Sequence, residues 1–379
     1  MKRKHFRAAV ISVILVFALA FSVIAYADNE FIWEYDDDTK TIYIYDGVMP
    51  DYENSYSTPW NFLILDVENV VIENMNRVGN YAFSGAEHLS SVTLDDCVTS
   101  IGEYAFASCP ALHELSLSSN VTTIADYSFA YNGVSQKDFT LKAPVGSYAL
   151  HYIIKNNRST STNRIDFVTD DVTCGEYKVR ITQSGGMFAY YPYTPKYNGV
   201  FKFYSTGTHD TRGYVFDSDY KQIAYNDDSD GGTNFKIASL NLEKGKTYYF
   251  GARIMNSSIK GSFNIFIEPV EYSVSGTIYA MNDPSGAASD IVIDEAKLDG
   301  VDTGGTFSRT VTATNTDAVI TVGDKQIDYS FSPDSDPDIV IMMCDVNGDG
   351  YVNGRDLAYM KSSNSKYKPL FTNFIGYNE

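Results

Sequence analysis

Val98-Thr99-Ser100-Ile101-Gly102-Glu103-Tyr104-Ala105-Phe106-Ala107-Ser108-Cys109-Pro110-Ala111-Leu112 decides the fold, because the chain nearly repeats it on both sides. Val78-Gly79-Asn80-Tyr81-Ala82-Phe83 stands 23 residues before its central phrase, and Ile124-Ala125-Asp126-Tyr127-Ser128-Phe129 stands 23 after. Leu89 and Leu112, Val92 and Leu115, and Leu94 and Leu117 keep that spacing, while Val70-Val71-Ile72 starts the series one residue out of step. Chance does not hold six columns in register. Such self-similarity predicts a solenoid whose coils bury their Ile, Phe and Leu only against one another.

A coil of this length, with a β-like Val-x-Leu in each unit, is a solenoid of the leucine-rich-repeat kind. Its row of coils needs caps. Residues 31–35 and 41–47 read as two alternating strands around an Asp/Thr turn, a hairpin that caps one end together with Pro59-Trp60. Phe139-Thr140-Leu141 and a helix-like stretch over 147–154 cap the other. The phrase over 98–112 is similar to the repeats of BspA-like leucine-rich surface proteins of bacteria. The lead-in Gly47-Val48-Met49-Pro50-Asp51-Tyr52 with Pro59-Trp60 resembles the segment before those repeats. That resemblance covers about residues 30–155 and implies adhesion or protein recognition on the exposed sheet. Glu73, Thr93, Asp95, Ser116 and Ser118 flank the core strand positions, so they are either ligand-facing or merely solvated.

Near the C-terminus stands Asp345-Val346-Asn347-Gly348-Asp349-Gly350-Tyr351-Val352-Asn353-Gly354-Arg355-Asp356. Asp345, Asn347 and Asp349, two apart, can turn three oxygens into a tight loop, and Gly350 permits the reversal. Tyr351 offers a backbone carbonyl, Asn353 a ligand directly or through water, and Asp356 the closing carboxylate. Hard oxygens in that order suit Ca²⁺; the plainer alternative is an acidic turn. A strand-like run precedes the loop and a helix start at Leu357 follows it. A calcium loop with only an exiting helix, closed by Asp, resembles half of the dockerin module of cellulosome-type proteins. The resemblance implies a cohesin-type scaffold partner, met by loop positions ten and eleven and the exiting helix, here Gly354, Arg355, Lys361 and Ser362. Gly354 departs from the hydroxyl residue common there, and no second Asp-x-Asn-x-Asp follows.

Lys2, Arg3, Lys4 and Arg7, an apolar run from Ala8, and Ala25-Tyr26-Ala27 before Asp28 read as a signal peptide over 1–27. An uncleaved anchor is the alternative; after cleavage no transmembrane span is expected, and the protein is secreted, extracellular or held at the cell surface. Loss of four bases and no acid takes the net charge from −19 to about −23. So acidic a chain is unsuited to nucleic acid or anionic membranes. Cys97, Cys109, Cys174 and Cys344 form no CxxC, and a Cys97–Cys109 bridge stays open.

Residues 157–166 are polar and read as a linker. From 167 to 270, short alternating strands with Asp/Gly turns predict a β-sandwich. Tyr225-Asn226-Asp227-Asp228, Leu240 and Gly245-Lys246-Thr247-Tyr248-Tyr249 make it similar to the pre-peptidase C-terminal type of sandwich. Asp227, Asp228 and Asp230 are a cation site or an exposed turn, and Tyr190, Tyr191, Tyr193 and Tyr197 suggest a sugar-stacking strip. Residues 271–343 read as a small Ig-like β domain, and 344–379 as the calcium loop and helix. No HExxH, GxSxG or P-loop occurs. The expected molecule is multidomain and mainly β: a leucine-rich-repeat solenoid over 28–156, then β-sandwich domains, then a calcium loop–helix module. It is expected to be non-catalytic, recognising a protein or glycan, or else to be a carbohydrate-binding component of a polysaccharide-degrading complex.

Overall fold

The computed structural model describes residues 24–28, 31–131, 134–135, 139–159, 164–183, 186–229, 231–281, 291–293, 296–297, 299–301, 304–312, 314–322, 325–335, 339–342 and 374–376. The chain is mainly β, 46% strand, with one α-helix among these residues. It divides into two compact units, the first of residues 1–170, 180–191 and 256–261, the second of 171–179, 192–255 and 262–379.

The first unit begins with strands β1 (Ile24–Asp28), β2 (Phe31–Asp36) and β3 (Thr41–Gly47), successive antiparallel neighbours. The β2–β3 turn forms because the Asp36 carboxylate accepts the backbone N–H groups of Asp38 and Thr39, at 2.9 and 3.2 Å. The chain then coils. β4 (Asn69–Met75), β5 (Arg77–Val78), β6 (Ser91–Leu94), β7 (Ser100–Ile101), β8 (Glu114–Ser116) and β9 (Thr123–Ile124) supply two strands per coil. On one side β3, β4 and β6 run parallel; on another β5, β7 and β9 do.

The 23-residue period is the register itself: Val78 lies opposite Ile101, and Ile101 opposite Ile124. The out-of-step first unit is equally literal, since Val70 faces Val92 and Ile72 faces Leu94. The additional residue falls in the turn after β6, where the Asp95 carboxylate caps the backbone N–H groups of Asn74 and Cys97.

Between the strand rows runs a buried column of rings. Trp60, Phe83, Phe106, Phe129 and Phe139 stack in succession at 5.4, 5.6, 6.1 and 5.5 Å. Trp33 meets Trp60 edge-on at 5.8 Å, and the Trp60 indole N–H donates to the Ala82 carbonyl at 2.7 Å. The hairpin and Pro59-Trp60 therefore cap this end by supplying the ring that a preceding coil would have supplied. Offset ring pairs add about 1 kcal/mol each beyond their buried area.

A short pair, β10 (Ala130–Tyr131) and β11 (Val134–Ser135), precedes β12 (Thr140–Lys142), which adds in parallel to β8. Helix α1 (Tyr148–Ser159) starts where the Ser147 hydroxyl accepts the Leu150 N–H at 3.2 Å, and it buries Ala149, Leu150, Ile153 and Ile154. It runs past the expected end at 154. Asn157, read as linker from its polarity, is buried: its side chain donates to the Ile165 carbonyl at 2.9 Å and accepts the Ile165 N–H at 2.7 Å. With the amide satisfied, burial costs little, and β13 (Asp166–Val168) joins β12 as a further parallel strand.

Two further sheets are built from β14 (Gly175–Ile181), β15 (Ala189–Tyr193), β16 (Gly199–Thr206), β17 (Thr211–Phe216), β18 (Gln222–Asn226), β19 (Lys236–Leu242), β20 (Tyr248–Ile254) and β21 (Gly261–Met281), which belong to the second unit except for residues 180–181, 189–191 and 261. One has the order β15-β20-β17-β18; the other contains β19-β16-β21, with β14 also on β21. Thereafter β22 (Ile291–Ile293), β23 (Ala296–Lys297), β24 (Asp299–Val301), β25 (Gly304–Thr312), β26 (Asp317–Val322), β27 (Lys325–Ser330), β28 (Ile339–Met342) and β29 (Phe374–Gly376) follow. β25, β24 and β28 extend the larger sheet, while β23-β22-β26-β27 form another. The expected boundary at 270/271 therefore crosses one continuous strand. Pro269 cannot donate to a ladder, and the pairing slips there: Phe201 faces Pro269 whereas Val200 faces Glu271, so Val270 bulges.

Candidate recognition faces

Alternation along the solenoid strands sends Ile42, Ile44, Val70, Ile72, Leu115 and Leu141 inward, where all are buried. Their neighbours face out in rows. Tyr43, Val71 and Thr93 lie side by side in register, Asn69 lies beside Ser91, and Tyr45 lies beside Glu73. Further along, Ser116, Lys142 and Val168 form one row and Glu114, Thr140 and Asp166 another. The Lys142 ammonium pairs with the Glu114 carboxylate at 2.6 Å, and the Tyr45 hydroxyl donates to Glu34. Hydroxyls, acids and half-exposed tyrosines on a parallel sheet make a polar contact surface.

Of the five flanking residues singled out above, Glu73, Thr93 and Ser116 are exposed on this face. Asp95 is engaged by Asn74 and Cys97, which hold its carboxyl below the usual range. Ser118 accepts the Asn120 N–H at 3.2 Å. These two shape the turns.

A second row was not singled out in the sequence. Tyr81, Tyr104 and Tyr127 stack at 5.1 and 5.3 Å along the outside of the coils, Tyr127 being 55% exposed. All three have left-handed backbone, φ 57, 53 and 59°, a conformation uncommon for a non-glycine residue. Partial burial raises the Tyr104 phenol pKa, with Glu103 and the neighbouring tyrosines adding to the effect. The signal was present as a column of the 23-residue period, but period alone does not say which side of the coil a ring occupies.

Other candidates lie elsewhere in the structure. Tyr190, Tyr191, Tyr193 and Tyr197, proposed as a sugar-stacking strip, are at most 5% exposed and form core. Tyr190, Tyr191 and Tyr193 lie in β15, which runs through Pro192 and is buried along its whole length. Asp227 pairs with Arg212 at 3.1 Å, and Asp230 lies outside the described residues. Cys97 lies exposed and Cys109 is buried, and no disulfide joins them.

The second unit holds a half-buried polar cluster. The Cys174 thiol lies 3.3 Å from the Tyr193 hydroxyl, and the Cys174 N–H donates to the Asp334 carboxylate at 2.8 Å. Burial pushes the thiol up to about 12 and raises the Asp334 carboxyl as well. A thiol protonated at neutral pH is a poor nucleophile, so the cluster ties the 332–335 turn to β14.

Among the described residues no three His, Cys, Asp or Glu side chains gather as a metal site. Asp345, Asn347, Asp349, Tyr351, Asn353 and Asp356, and the partner set Gly354, Arg355, Lys361 and Ser362, lie outside the described residues. No described helix is long and apolar enough to cross a membrane.

Residues 62–163 match the family described as a BspA type leucine-rich repeat region, in six copies. Among solved structures, a leucine-rich repeat protein from Eubacterium ventriosum is 20% identical over 40% of this chain and 41% of its own, with a TM-score of 0.28. The chain thus spans under half of that protein's length. The leucine-rich repeat protein of T. pallidum is 14% identical over 39% and 85%, with a TM-score of 0.20. PliG of Aeromonas hydrophila, a periplasmic inhibitor of g-type lysozyme, is 14% identical over 25% and 88%, with a TM-score of 0.19. At these scores the neighbours carry no argument about function. No curated protein matches. The repeat region is of a kind found in surface proteins that bind other proteins.

Proposed function

We propose that this is a secreted or cell-surface recognition protein, without catalytic activity, whose solenoid binds a protein partner through its outward sheet rows. The observation that carries the reading is the register of Tyr43, Val71 and Thr93 above an inner face on which Ile42, Ile44, Val70 and Ile72 are buried. A repeated, rigid, polar-and-tyrosine surface suits recognition. In this reading residues 1–27 are a cleaved leader, and Asp345, Asn347, Asp349, Tyr351, Asn353 and Asp356 bind Ca²⁺. The ion folds a dockerin-like attachment segment that meets a cohesin-type scaffold through Gly354, Arg355, Lys361 and Ser362.

The test is calcium calorimetry on the full chain beside the Asp345→Ala/Asp349→Ala variant, then capture by a cohesin domain with and without chelator. Saturable binding lost in the variant, with chelator-sensitive capture, supports both parts. Calcium binding without capture removes the scaffold, and no calcium binding removes the metal as well. The solenoid reading is tested separately, by loss of surface-partner capture on Val71→Arg/Thr93→Arg. The carbohydrate-binding alternative retains no support from Tyr190–Tyr197, whose rings are buried.

A further inference from the structure

The leader and the N-terminal cap overlap. β1 lies opposite β2 with Ile24 against Tyr35, Ala25 against Glu34, Tyr26 against Trp33, Ala27 against Ile32 and Asp28 against Phe31. Cleavage after Ala27, which the sequence motif calls for, removes four of these five partners. The inner face of β2 would not notice: Phe31, Trp33 and Tyr35 remain packed on the cap, with Trp33 against Trp60. The outer edge would. It would present an unpaired row of backbone N–H and C=O groups at the end of the four remaining strands of the sheet, and such a row is a template for another strand.

We infer that in the mature protein the place of β1 is taken by β2 of a second copy, so that two chains join through their N-terminal caps. This rests on the reading of residues 1–27 as a leader. The vacated place is antiparallel to β2, and a two-fold axis brings an identical strand up antiparallel to itself. Two central registers are available. One centred on Glu34 would set two Glu34 carboxylates opposite each other, which is unfavourable. One centred on Trp33 sets Ile32 opposite the second copy's Glu34 and Phe31 opposite its Tyr35, and moves like-charge contact from the centre to the ends, where Glu30 opposes Asp36. Two chains each near −23 repel through solvent, so the pairing should strengthen as salt rises, the reverse of an ion-pair interface.

The experiment starts from the full gene product secreted by a host that processes leaders. Its N-terminus is read by intact mass, and its association by analytical ultracentrifugation at low and high salt. We expect a chain beginning at Asp28 that dimerises, more tightly at high salt. Ile32→Glu should weaken the dimer roughly tenfold, because it opposes two like charges twice per interface. Adding Glu34→Lys in the same chain should restore it, with the fluorescence of buried Trp33 and Trp60 unchanged throughout. A chain beginning at Asp28 that stays monomeric, or a dimer indifferent to Ile32→Glu, overturns the pairing. A mature chain that retains residues 24–27 overturns the processing, and the pairing with it; the mass separates that result from the others before any association is measured.

Discussion

Gly102→Ala is the sharpest test of coil-on-coil packing. A Cβ at Gly102 would sit 2.5 Å from the backbone nitrogen of Asn80, 2.6 Å from its side-chain oxygen and 2.6 Å from the Gly79 carbonyl carbon. Two of these three atoms are backbone of the preceding coil, so the coils themselves must separate. That strains the Gly102 N–H bond to the Val78 carbonyl (2.9 Å) and the Glu103 N–H bond to Asn80 (2.8 Å). Overpacking costs about 1–3 kcal/mol and each weakened hydrogen bond about 1 kcal/mol, giving a loss of roughly 3 kcal/mol. The chain's two tryptophans, Trp33 and Trp60, both lie buried in the solenoid cap, so their fluorescence during urea unfolding reports the first unit alone. With a slope of about 1–3 kcal/mol per molar urea, the midpoint should fall by at least 1 M or so. Gly85→Ala is the control: nothing lies within 4 Å of its Cβ position, but its φ of 82° is left-handed, so it should lose only about 1 kcal/mol. The third residue of the column is Ala125, which makes the tightness a property of the earlier coils. If Gly102→Ala unfolds with the wild type, or no worse than Gly85→Ala, the close stacking of those coils is wrong.

Two further predictions concern pH. Burial first, then Lys155 and Arg158, lowers His151 from 6.5 to about 4, and its Nδ1 accepts the Phe188 N–H at 3.2 Å. The unfolded chain therefore takes the proton first, so stability falls as pH drops from 6.5 towards 4, by up to about 3 kcal/mol. In His151→Gln the tryptophan-monitored midpoint should vary less across that window, and an unchanged slope would rule His151 out. Asp334 has the opposite sign: burial raises its carboxyl, so folding favours the protonated form and the second unit gains stability as pH falls into the carboxylate range. Asp334→Asn should therefore protect Cys174 from thiol labelling in urea more than wild type at pH 7, with the gap closing near pH 4. Equal labelling of the two at pH 7 would show that the charged form bears no burial cost.

The solenoid was legible because its register is the sequence period: an Ile facing an Ile one coil on needs no information from elsewhere. The slip at Val70 was legible for the same reason, since the residue added after β6 sets Val70 only 22 residues from Val92 while Val78 keeps its 23-residue register with Ile101. Burial of polar and aromatic groups was not. Asn157 reads as linker until Ile165 returns both of its hydrogen bonds. Tyr190, Tyr191, Tyr193 and Tyr197 read as a surface strip until partners far away in sequence, such as His151 for Tyr190 and Phe250 for Tyr193, pack against them.

The tyrosine ladder lies between these cases, and it shows where periodicity stops informing. The columns of Phe83, Phe106 and Phe129 and of Tyr81, Tyr104 and Tyr127 are two residues apart and repeat identically, yet one stacks inside the coil and the other outside. A strand would put residues two apart on one face. Here each tyrosine is left-handed, which breaks the alternation and sends the two rings to opposite sides. Positive φ at a tyrosine leaves no mark in composition or hydropathy, so the outer row becomes visible only once the backbone is known.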